Sequence, residues 1–432
     1  MKFLWFKIDI FKDQTKSTNM KKFAGILFIL IFLFAQGFGQ DSVLTIQQAV
    51  DSAYNRNAEL QQLYMQLKQK ENQWRTETGV SAPEISYFKE GISSGPGDAF
   101  DEQRFTISQE FDFPLTTAYR MKAISEEVQA LELQIKAREK QIKAEVKSYY
   151  VEVLYALHLQ RSRQHRLELA QDLYNAVYTK FETGMGNGID LANAELQLEQ
   201  AKNELDQTEW VLHRARYGLF YTMGLPVENQ KYSIQFSDSL QTTDVEISQI
   251  MTLAVQENQP DFLAAEHQLQ ATDYSLKEAR SNILPDIRLN LYTQDYGSGY
   301  DYKGFEVGLK IPIWYPFDQR GKINMALAKQ EEIQWKQQEI RLDTKKQIEY
   351  AWHNYSVSRS IIDRYNSTIK EKASQLQSLT LRAYQLGEVD LLNLLNAQQT
   401  YLSSEESYLQ ALREYYLQLV ALERYLEEDL VY

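Results

Sequence analysis

Few residues of this chain have the types and the spacing that chemistry requires. The chain has 432 residues, no cysteine and 5 histidines, and no histidine pair follows the HxxH or HExxH spacing of a zinc site. The absence of cysteine excludes disulfides, thiolate metal sites and a cysteine nucleophile. No nucleophile elbow or phosphate-binding loop is present, and the many carboxylates lie on helix faces where solvated charge is expected. We therefore predict a protein that is not an enzyme and has no cofactor and no bound metal.

Two similar phrases interrupt the helix-forming parts of the chain. The first is FETGMGNGIDLAN, residues 181–193, and the second is YQLGEVDLLN, residues 384–393. Glycine has the backbone freedom to reverse the chain after a helix. We interpret the two phrases as the tips of helical hairpins, with an ordinary helix C-cap as the simpler explanation.

The prolines leave two long segments free to be helical. Residues 115–225 and 317–432 contain no proline, and both are rich in strong helix formers. Their apolar residues follow a 3-4-3-4 rhythm, as in Ile348, Ala351 and Tyr355, which is typical of coiled-coil packing. We expect helices at about 46–82, 116–182, 189–223, 247–283, 319–386 and 389–428.

Segments of alternating apolar and polar residues separate the helical parts. Residues 287–293 and 305–313 alternate clearly, whereas residues 84–92 alternate poorly. Alternation with period two predicts strands, and a glycine-rich loop between two strands predicts a hairpin. Each long middle helix would be about 100 Å long. The two helices that flank it would together match that length if they stacked end to end.

The two halves of the chain repeat each other. SAPEI at 81–85 matches ILPDI at 283–287, and Gly184 matches Gly387, so the shift is about 200 residues along the chain, as a duplication requires. We expect a first repeat over residues 40–224 with a hairpin at 84–114, a linker over 225–246, and a second repeat over 247–432 with a hairpin at 286–314.

The N-terminal region predicts export. Residues 23–35 form an uncharged apolar run after a lysine pair, too short for a permanent membrane helix. We expect an export signal over residues 1–39, cleaved after Gly39, with a short membrane anchor as the alternative. Translation from Met20 would make the preceding residues a mis-assigned extension. Removing the signal changes the formal net charge from −13 to −17, and so acidic a protein would repel nucleic acid.

Several segments resemble those of the TolC-type outer-membrane efflux proteins, the outer membrane factors of tripartite efflux or type I secretion systems. They are LTIQQAVDSAYNRNAEL at 44–60, LPDIRL at 284–289, GLKIPIW at 308–314, and the segment 383–426 around and after the second tip. The resemblance implies a mainly α fold with a small β part. Duplicated long helical hairpins of three chains would form a periplasmic α-barrel, and four strands per chain would contribute to a shared 12-stranded outer-membrane β-barrel. Four strands alone are too few to close a membrane barrel, which needs about eight.

The resemblance also implies roles for the tip residues. The residues expected to contact a periplasmic adaptor are Gly184, Gly186, Gly188, Gly387 and Glu388. The residues expected to line the periplasmic aperture are Asp390, Asn393 and Asp190. Asn393 stands where the fuller family pattern has an acid, which reduces the expected charge of the aperture. Tyr384 matches a tyrosine whose hydroxyl helps to latch the closed tube. Helix capping is the alternative for Asp390, and plain heptad packing is the alternative for Tyr384.

Taken together, the resemblance implies an outer-membrane channel that passes substrates from a periplasmic adaptor (membrane fusion protein) and an inner-membrane pump to the exterior. The expected partners are two further copies of the chain, the adaptor, the pump and outer-membrane lipid. Most of the chain would lie in the periplasm. The alternative is a periplasmic coiled-coil interaction or adaptor protein without a pore. The residues leave the cargo open between drugs, metal ions and proteins.

Overall fold

The computed structural model describes residues 43–92, 100–226, 258–297, 301–313, 315–426 and 429–431. The predicted export signal lies outside these residues, as does nearly all of the predicted linker. Ile46–Val227 and Leu240–Tyr432 form one compact unit. A second unit consists of Met1–Thr45 and Glu228–Ser239, and only its residues 43–45 belong to the described part of the chain.

The first half of the compact unit contains four helices and two strands. They are α1 (Ile46–Arg56), α2 (Ala58–Gln73), β1 (Glu84–Glu90), β2 (Glu102–Phe111), α3 (Pro114–Glu182) and α4 (Gly188–Thr222). With 69 residues, α3 is about 100 Å long. It begins at Pro114 because proline is tolerated in the first turn, where its missing N–H has no helical partner.

The second half repeats this order. It contains α5 (Pro260–Ser281), β3 (Asp286–Asp295), β4 (Asp301–Lys310), α6 (Tyr315–Arg364), a π-turn (Tyr365–Ile369), α7 (Lys370–Leu386) and α8 (Leu391–Glu423). The mainly α fold with a small β part is thus confirmed. No helix in the described ranges is long and apolar enough to cross a membrane.

The expectation of one continuous helix over 46–82 is wrong. Asn57 adopts an extended conformation, and its side chain accepts hydrogen bonds from the N–H groups of Glu59 and Leu60. Asparagine in this role caps the start of a new helix, so α1 ends before Asn57 and α2 begins after it. The helix then ends at Gln73. The expected unbroken helix over 319–386 is also wrong, because the π-turn divides α6 from α7.

The helices form four adjacent columns. In the described residues, α2 and α4 both pack on α3, α3 packs on α5 and α8, and these two pack on α6. The shorter helices stack end to end, as the length argument predicts. At one joint, Asn57 Nδ2 donates to Thr222 O at 3.1 Å; at the other, Gln259 Nε2 donates to Tyr425 O at 2.9 Å.

A buried lysine ties the second joint to α3. Lys147 has a side chain only 2% exposed. Its Nζ lies 2.5 Å from Glu423 Oε1, 2.8 Å from Asp429 Oδ1 and 2.8 Å from Val431 O. Burial raises the pKa of the Glu423 carboxyl. The pKa of the Asp429 carboxyl is lowered, against the opposing effect of burial, first by its hydrogen bond with Glu423 and then by those from Lys143 and Lys147. The network fastens the C-terminal segment to the middle of the long helix.

The four strands form one antiparallel sheet in the order β1-β2-β3-β4. Its register pairs Ile107 with Leu291 and Leu291 with Phe305, so these apolar side chains share one face. The poorly alternating segment 84–92 does form a strand, β1, with Ile85 opposite Ile107. On the other face, Ser108 pairs with Asn290 and Asn290 with Glu306. The sheet therefore has one apolar and one polar face.

Candidate functional site at the paired tips

The two tips, about 200 residues apart in sequence, meet at one end of the helical columns. Buried residues from both hairpins form one cluster, which consists of Leu173, Val177, Ala194, Tyr384, Leu391 and Leu394. Partly buried Tyr174, Leu191, Val389 and Leu395 pack against it. All the tip residues singled out from the sequence lie in or next to the turns that this cluster supports.

The second tip is a pair of helix caps. Gly387 has φ 77°, and its N–H donates to Tyr384 O at 3.1 Å, while Glu388 N donates to Ala383 O at 2.9 Å. A left-handed glycine with these bonds closes a helix. Asp390 then begins α8, because its Oδ1 accepts from Asn393 N at 2.9 Å. Both capping explanations thus describe what these residues do within one chain.

The first tip also consists of a helix C-cap followed by a helix N-cap, formed by different residues. Gly184 has φ 74° and ends α3. Asn187 caps α4, since its Oδ1 accepts from Asp190 N at 2.8 Å and its Nδ2 donates to Asp190 Oδ2 at 2.9 Å. Asn187 was not singled out from the sequence, although asparagine before a helix is a recognisable N-cap signal.

The three glycines of the first tip are not equivalent. A Cβ at Gly186 would lie 2.9 Å from Phe181 N and 3.1 Å from Lys180 C, both backbone atoms that cannot rotate away. A Cβ at Gly184 or Gly188 would meet nothing within 4 Å. Gly186 is therefore required by close backbone approach, and Gly184 by its positive φ.

Tyr384 connects the two tips through its ring. It is buried, and Lys180 Nζ of the first hairpin lies 4.0 Å from the ring centroid. This distance suits a cation–π contact. Burial, together with the charge of Asp190, raises the pKa of the Tyr384 hydroxyl. Lys180 was missed because its partner comes from the other repeat, and no local pattern indicates that contact.

The residues expected at the aperture share the same end of the molecule. Asp390, Asn393 and Glu388 are exposed and Asp190 is half-buried. One chain brings two aspartates to this end, one from each tip. Their position is compatible with a ring only if further copies of the chain supply the other members.

Farther from the tips, a network of ion pairs joins α3, α4 and α8. Arg163 Nη1 lies 2.5 Å from Glu204 Oε2 and Arg163 Nη2 lies 2.8 Å from Glu406 Oε1. Arg166 Nη1 also lies 2.9 Å from Glu204 Oε2. The network gives the charged side chain of Arg163, which is mostly buried between these helices, two carboxylate partners. No group of three or more metal-ligating side chains occurs in the part of the chain that the structure describes.

Comparison with known proteins places these features in context. The outer membrane efflux protein family model matches residues 254–427. The cation efflux system protein CusC of Escherichia coli O157:H7 is 22% identical over 385 residues, covering 84% of this chain and 82% of that protein. The pyoverdine export outer membrane protein OpmQ of Pseudomonas aeruginosa is 22% identical over 321 residues, covering 71% and 65%.

Solved structures share the fold. The outer-membrane channel OprN superposes with a TM-score of 0.77 at 17% identity, covering 88% of this chain and 89% of that one. The outer membrane protein VceC from Vibrio cholerae gives a TM-score of 0.77 at 16% identity, covering 88% and 95%. Together with the duplicated hairpins and the paired tips, these matches show that residues 254–427 form an outer membrane efflux protein domain and that the chain has the fold of outer-membrane channels such as OprN.

Proposed function

We propose that this chain is the outer-membrane duct of a tripartite efflux or export system. Three copies form a continuous conduit, with the sheets in the outer membrane and the helical columns in the periplasm. The tips receive a periplasmic adaptor, which connects them to an inner-membrane pump. The duct itself is passive, because the pump supplies the energy, and this role requires no catalysis by the chain.

The main support for this proposal is the sheet, which has one apolar and one polar face. On its apolar face, Ile85 is 66% exposed, Leu291 61% and Phe305 77%. An apolar surface of this size in contact with water would be costly, whereas lipid would cover it without cost. The opposite face carries polar side chains such as Asn290, which donates to Glu306, and suits an aqueous lumen. A periplasmic coiled-coil adaptor without a pore has no need of such a sheet.

Exposed apolar stripes on the two outer columns support a ring of identical chains. On α4, exposed apolar residues occur at intervals of seven or fourteen: Ile189, Leu196, Trp210 and Tyr217. On α6, a similar stripe consists of Trp335, Leu342, Tyr350 and Val357. Among the described elements, α4 packs on α3, whereas α6 packs on α5 and α8, so both stripes remain available.

A contact between two different surfaces of identical chains is head-to-tail, and it closes when the rotation completes a ring. Each copy would place its α4 column against the α6 column of the next. Three copies supply about twelve strands, enough to close a small membrane barrel. Intervals of seven, eight or fourteen residues keep each stripe along one side of its helix, as helix–helix seams require.

The ring can be tested with a matched pair of variants. Trp335→Glu places a charge on the α6 stripe, whereas Lys336→Glu adds a negative charge about a quarter turn round the same helix. We expect Trp335→Glu to lose the trimer in detergent and Lys336→Glu to keep it. A trimer that survives Trp335→Glu unchanged, or dissociates equally with both variants, would contradict the proposed seam.

The adaptor and aperture roles of the tips belong to the same proposal. The exposed positions of Glu388 and Asp390 and the open space around Gly184 and Gly387 support contact with a partner at this end. The relatives are named for different cargoes, cations for CusC and pyoverdine for OpmQ. The proposal therefore names the route and leaves the cargo open.

A further inference from the structure

Residues of the two repeats correspond at a fixed offset in the upper part of the molecule, towards the sheet. Asn57 and Gln259, whose amides make the hydrogen bonds at the two joints between stacked helices, lie 202 positions apart. In the long helices, buried Val146 corresponds at the same offset to buried Ile348. The faces of α3 and α6 can therefore be compared residue by residue.

Nearer the tips the offset is 203. Gly184 and Gly387 close the two long helices with positive φ, and Asn187 and Asp390 cap the helices that follow. The extra residue of the second repeat falls in the π-turn Tyr365–Ile369, since a π-turn holds one residue more than an α-turn. The second long helix, which consists of α6, the π-turn and α7, thus stays in phase with α3 above and below this turn.

The two long helices differ in their neighbours. Within one chain, α3 packs on α5 and α8 of the other repeat. The helices of the first repeat that correspond to α5 and α8 are α2 and α4. Among the described elements both of these pack on α3, whereas α6 packs on α5 and α8. The second long helix therefore lacks, within one chain, the equivalent of the contact that α3 makes with α5 and α8.

Three polar contacts define the register of α3 against α5 and α8. They join Glu126 Oε2 to His267 Nδ1 at 2.7 Å, the ring centroid of Tyr155 to Arg413 Cζ at 5.5 Å, and Arg166 Nη2 to Gln399 Oε1 at 3.3 Å. The first lies in the upper part of the columns, the second near the joint and the third towards the tips. Together they sample most of the length of the contact.

The equivalent positions on the second long helix and on the α2 and α4 column are apolar. The offsets place Ala328 opposite Met65, Val357 opposite Trp210, and Ile369 opposite Leu196. Ala328 is exposed in the single chain, and the other five side chains are 41% to 63% exposed. Offsets taken from caps, joints and buried residues thus select exposed apolar side chains on both surfaces.

We propose that neighbouring copies meet in the register by which α3 meets α5 and α8, so that the second long helix of one copy packs on the α2 and α4 column of the next through these three pairs. The inference rests on the proposed duct, and it adds the register of the seam and a part for α2. The chemistry keeps the two contacts distinct. If α3 met the column of another copy instead, Glu126 and Arg166 would face apolar side chains and lose their partners.

Crosslinking can test the register, because the chain has no cysteine of its own. The test variant is the full-length chain with Val357→Cys and Trp210→Cys, extracted in detergent and treated with a short thiol-specific crosslinker. The two positions lie on opposite outer columns of one chain, so a link between them must join two copies. We expect denaturing electrophoresis to show covalent dimers and trimers. Ala328→Cys with Met65→Cys, a milder change in the upper part of the seam, should give the same products.

Two control pairs make the result specific to this register. Tyr155→Cys with Arg413→Cys places thiols at the equivalent positions within one chain, so it should consume thiols without any gain in mass. Asp343→Cys with Trp210→Cys, fourteen residues or about 21 Å along α6 from the proposed contact, should give no covalent multimers. If the parent is a trimer and the control within one chain reacts, but Val357→Cys with Trp210→Cys gives no multimers, the proposed register is overturned. It is also overturned if Asp343→Cys gives as many multimers as Val357→Cys. A monomeric parent would instead overturn the duct itself.

Discussion

Gly186→Ala is the substitution for which the structure predicts the sharpest local effect. The added Cβ would lie 2.9 Å from Phe181 N and 3.1 Å from Lys180 C, closer than ordinary van der Waals contact. Because both atoms belong to the backbone of the last turn of α3, the tip itself must move. Overpacking of this kind costs about 1–3 kcal/mol.

Such a cost should appear as local opening of the first tip. The closed turn is maintained by hydrogen bonds such as Met185 N to Lys180 O at 2.9 Å and Gly184 N to Phe181 O at 3.0 Å. A destabilisation of about 1–3 kcal/mol corresponds to roughly 5- to 150-fold faster hydrogen exchange. Exchange measured by mass spectrometry on peptides covering residues 181–190 should show this acceleration, while peptides from α5 remain unchanged. Adaptor retention during purification should fall in parallel.

Gly188→Ala is the matched control. Its Cβ meets nothing within 4 Å, and the residue is the first of α4, where alanine favours the helix more than glycine. We expect unchanged or slower exchange and normal adaptor retention. Equal effects of the two alanine substitutions, or no effect of Gly186→Ala on exchange, would refute the reasoning from backbone approach.

Three further predictions concern the rest of the chain. Gly387→Ala should destabilise the second tip by about 1 kcal/mol, because alanine is strained at a φ of 77°. The added Cβ would meet no atom within 4 Å, so this backbone strain is the whole cost. Faster hydrogen exchange of the amides at the second tip should show the loss, and Gly387→Asn should destabilise the tip less. Lys147→Ala should lower the free energy of unfolding by about 3 kcal/mol, and with it the thermal midpoint of the detergent-extracted protein, because the buried Glu423 keeps only the more exposed Lys143, 3.5 Å away, as a cation. The pKa of Tyr64 is raised to about 12, first by its hydrogen bond to Glu139 and then by burial. The resulting stabilisation is complete below pH 10 and lost as the pH rises towards about 12, so the gap in thermal midpoint between the parent and Tyr64→Phe should close over that range.

The helices and the sheet follow from local patterns. Proline-free tracts, apolar heptads and period-two alternation are short-range signals, and they identify the helical tracts, both hairpins and both tips, although not the break at Asn57 or the π-turn. The positive φ of Gly184 and Gly387 agrees with the interpretation of these residues as chain reversals. The end-to-end stacking follows from length alone, because two shorter helices must cover one helix of 69 residues.

The features that sequence patterns did not indicate depend on contacts between distant residues. Lys180 contacts Tyr384 from another repeat, and Lys147 contacts Glu423 and Asp429 nearly 300 positions away. No sequence signal marks the π-turn. Its residues, YNSTI, favour an α-helix only weakly but do not favour a π-turn specifically. Roles that require several chains, such as adaptor contact and the aperture, remain predictions from the resemblance.

The central claim is that three copies of this chain build one duct, and the native mass of the protein extracted in detergent from outer membranes tests it most directly. The account predicts a mass of three chains plus bound detergent, which persists on dilution because the barrel and the α4–α6 seams are shared. A monomer or dimer, or a protein recovered in the soluble periplasmic fraction, would contradict the account and favour a coiled-coil interaction protein without a pore.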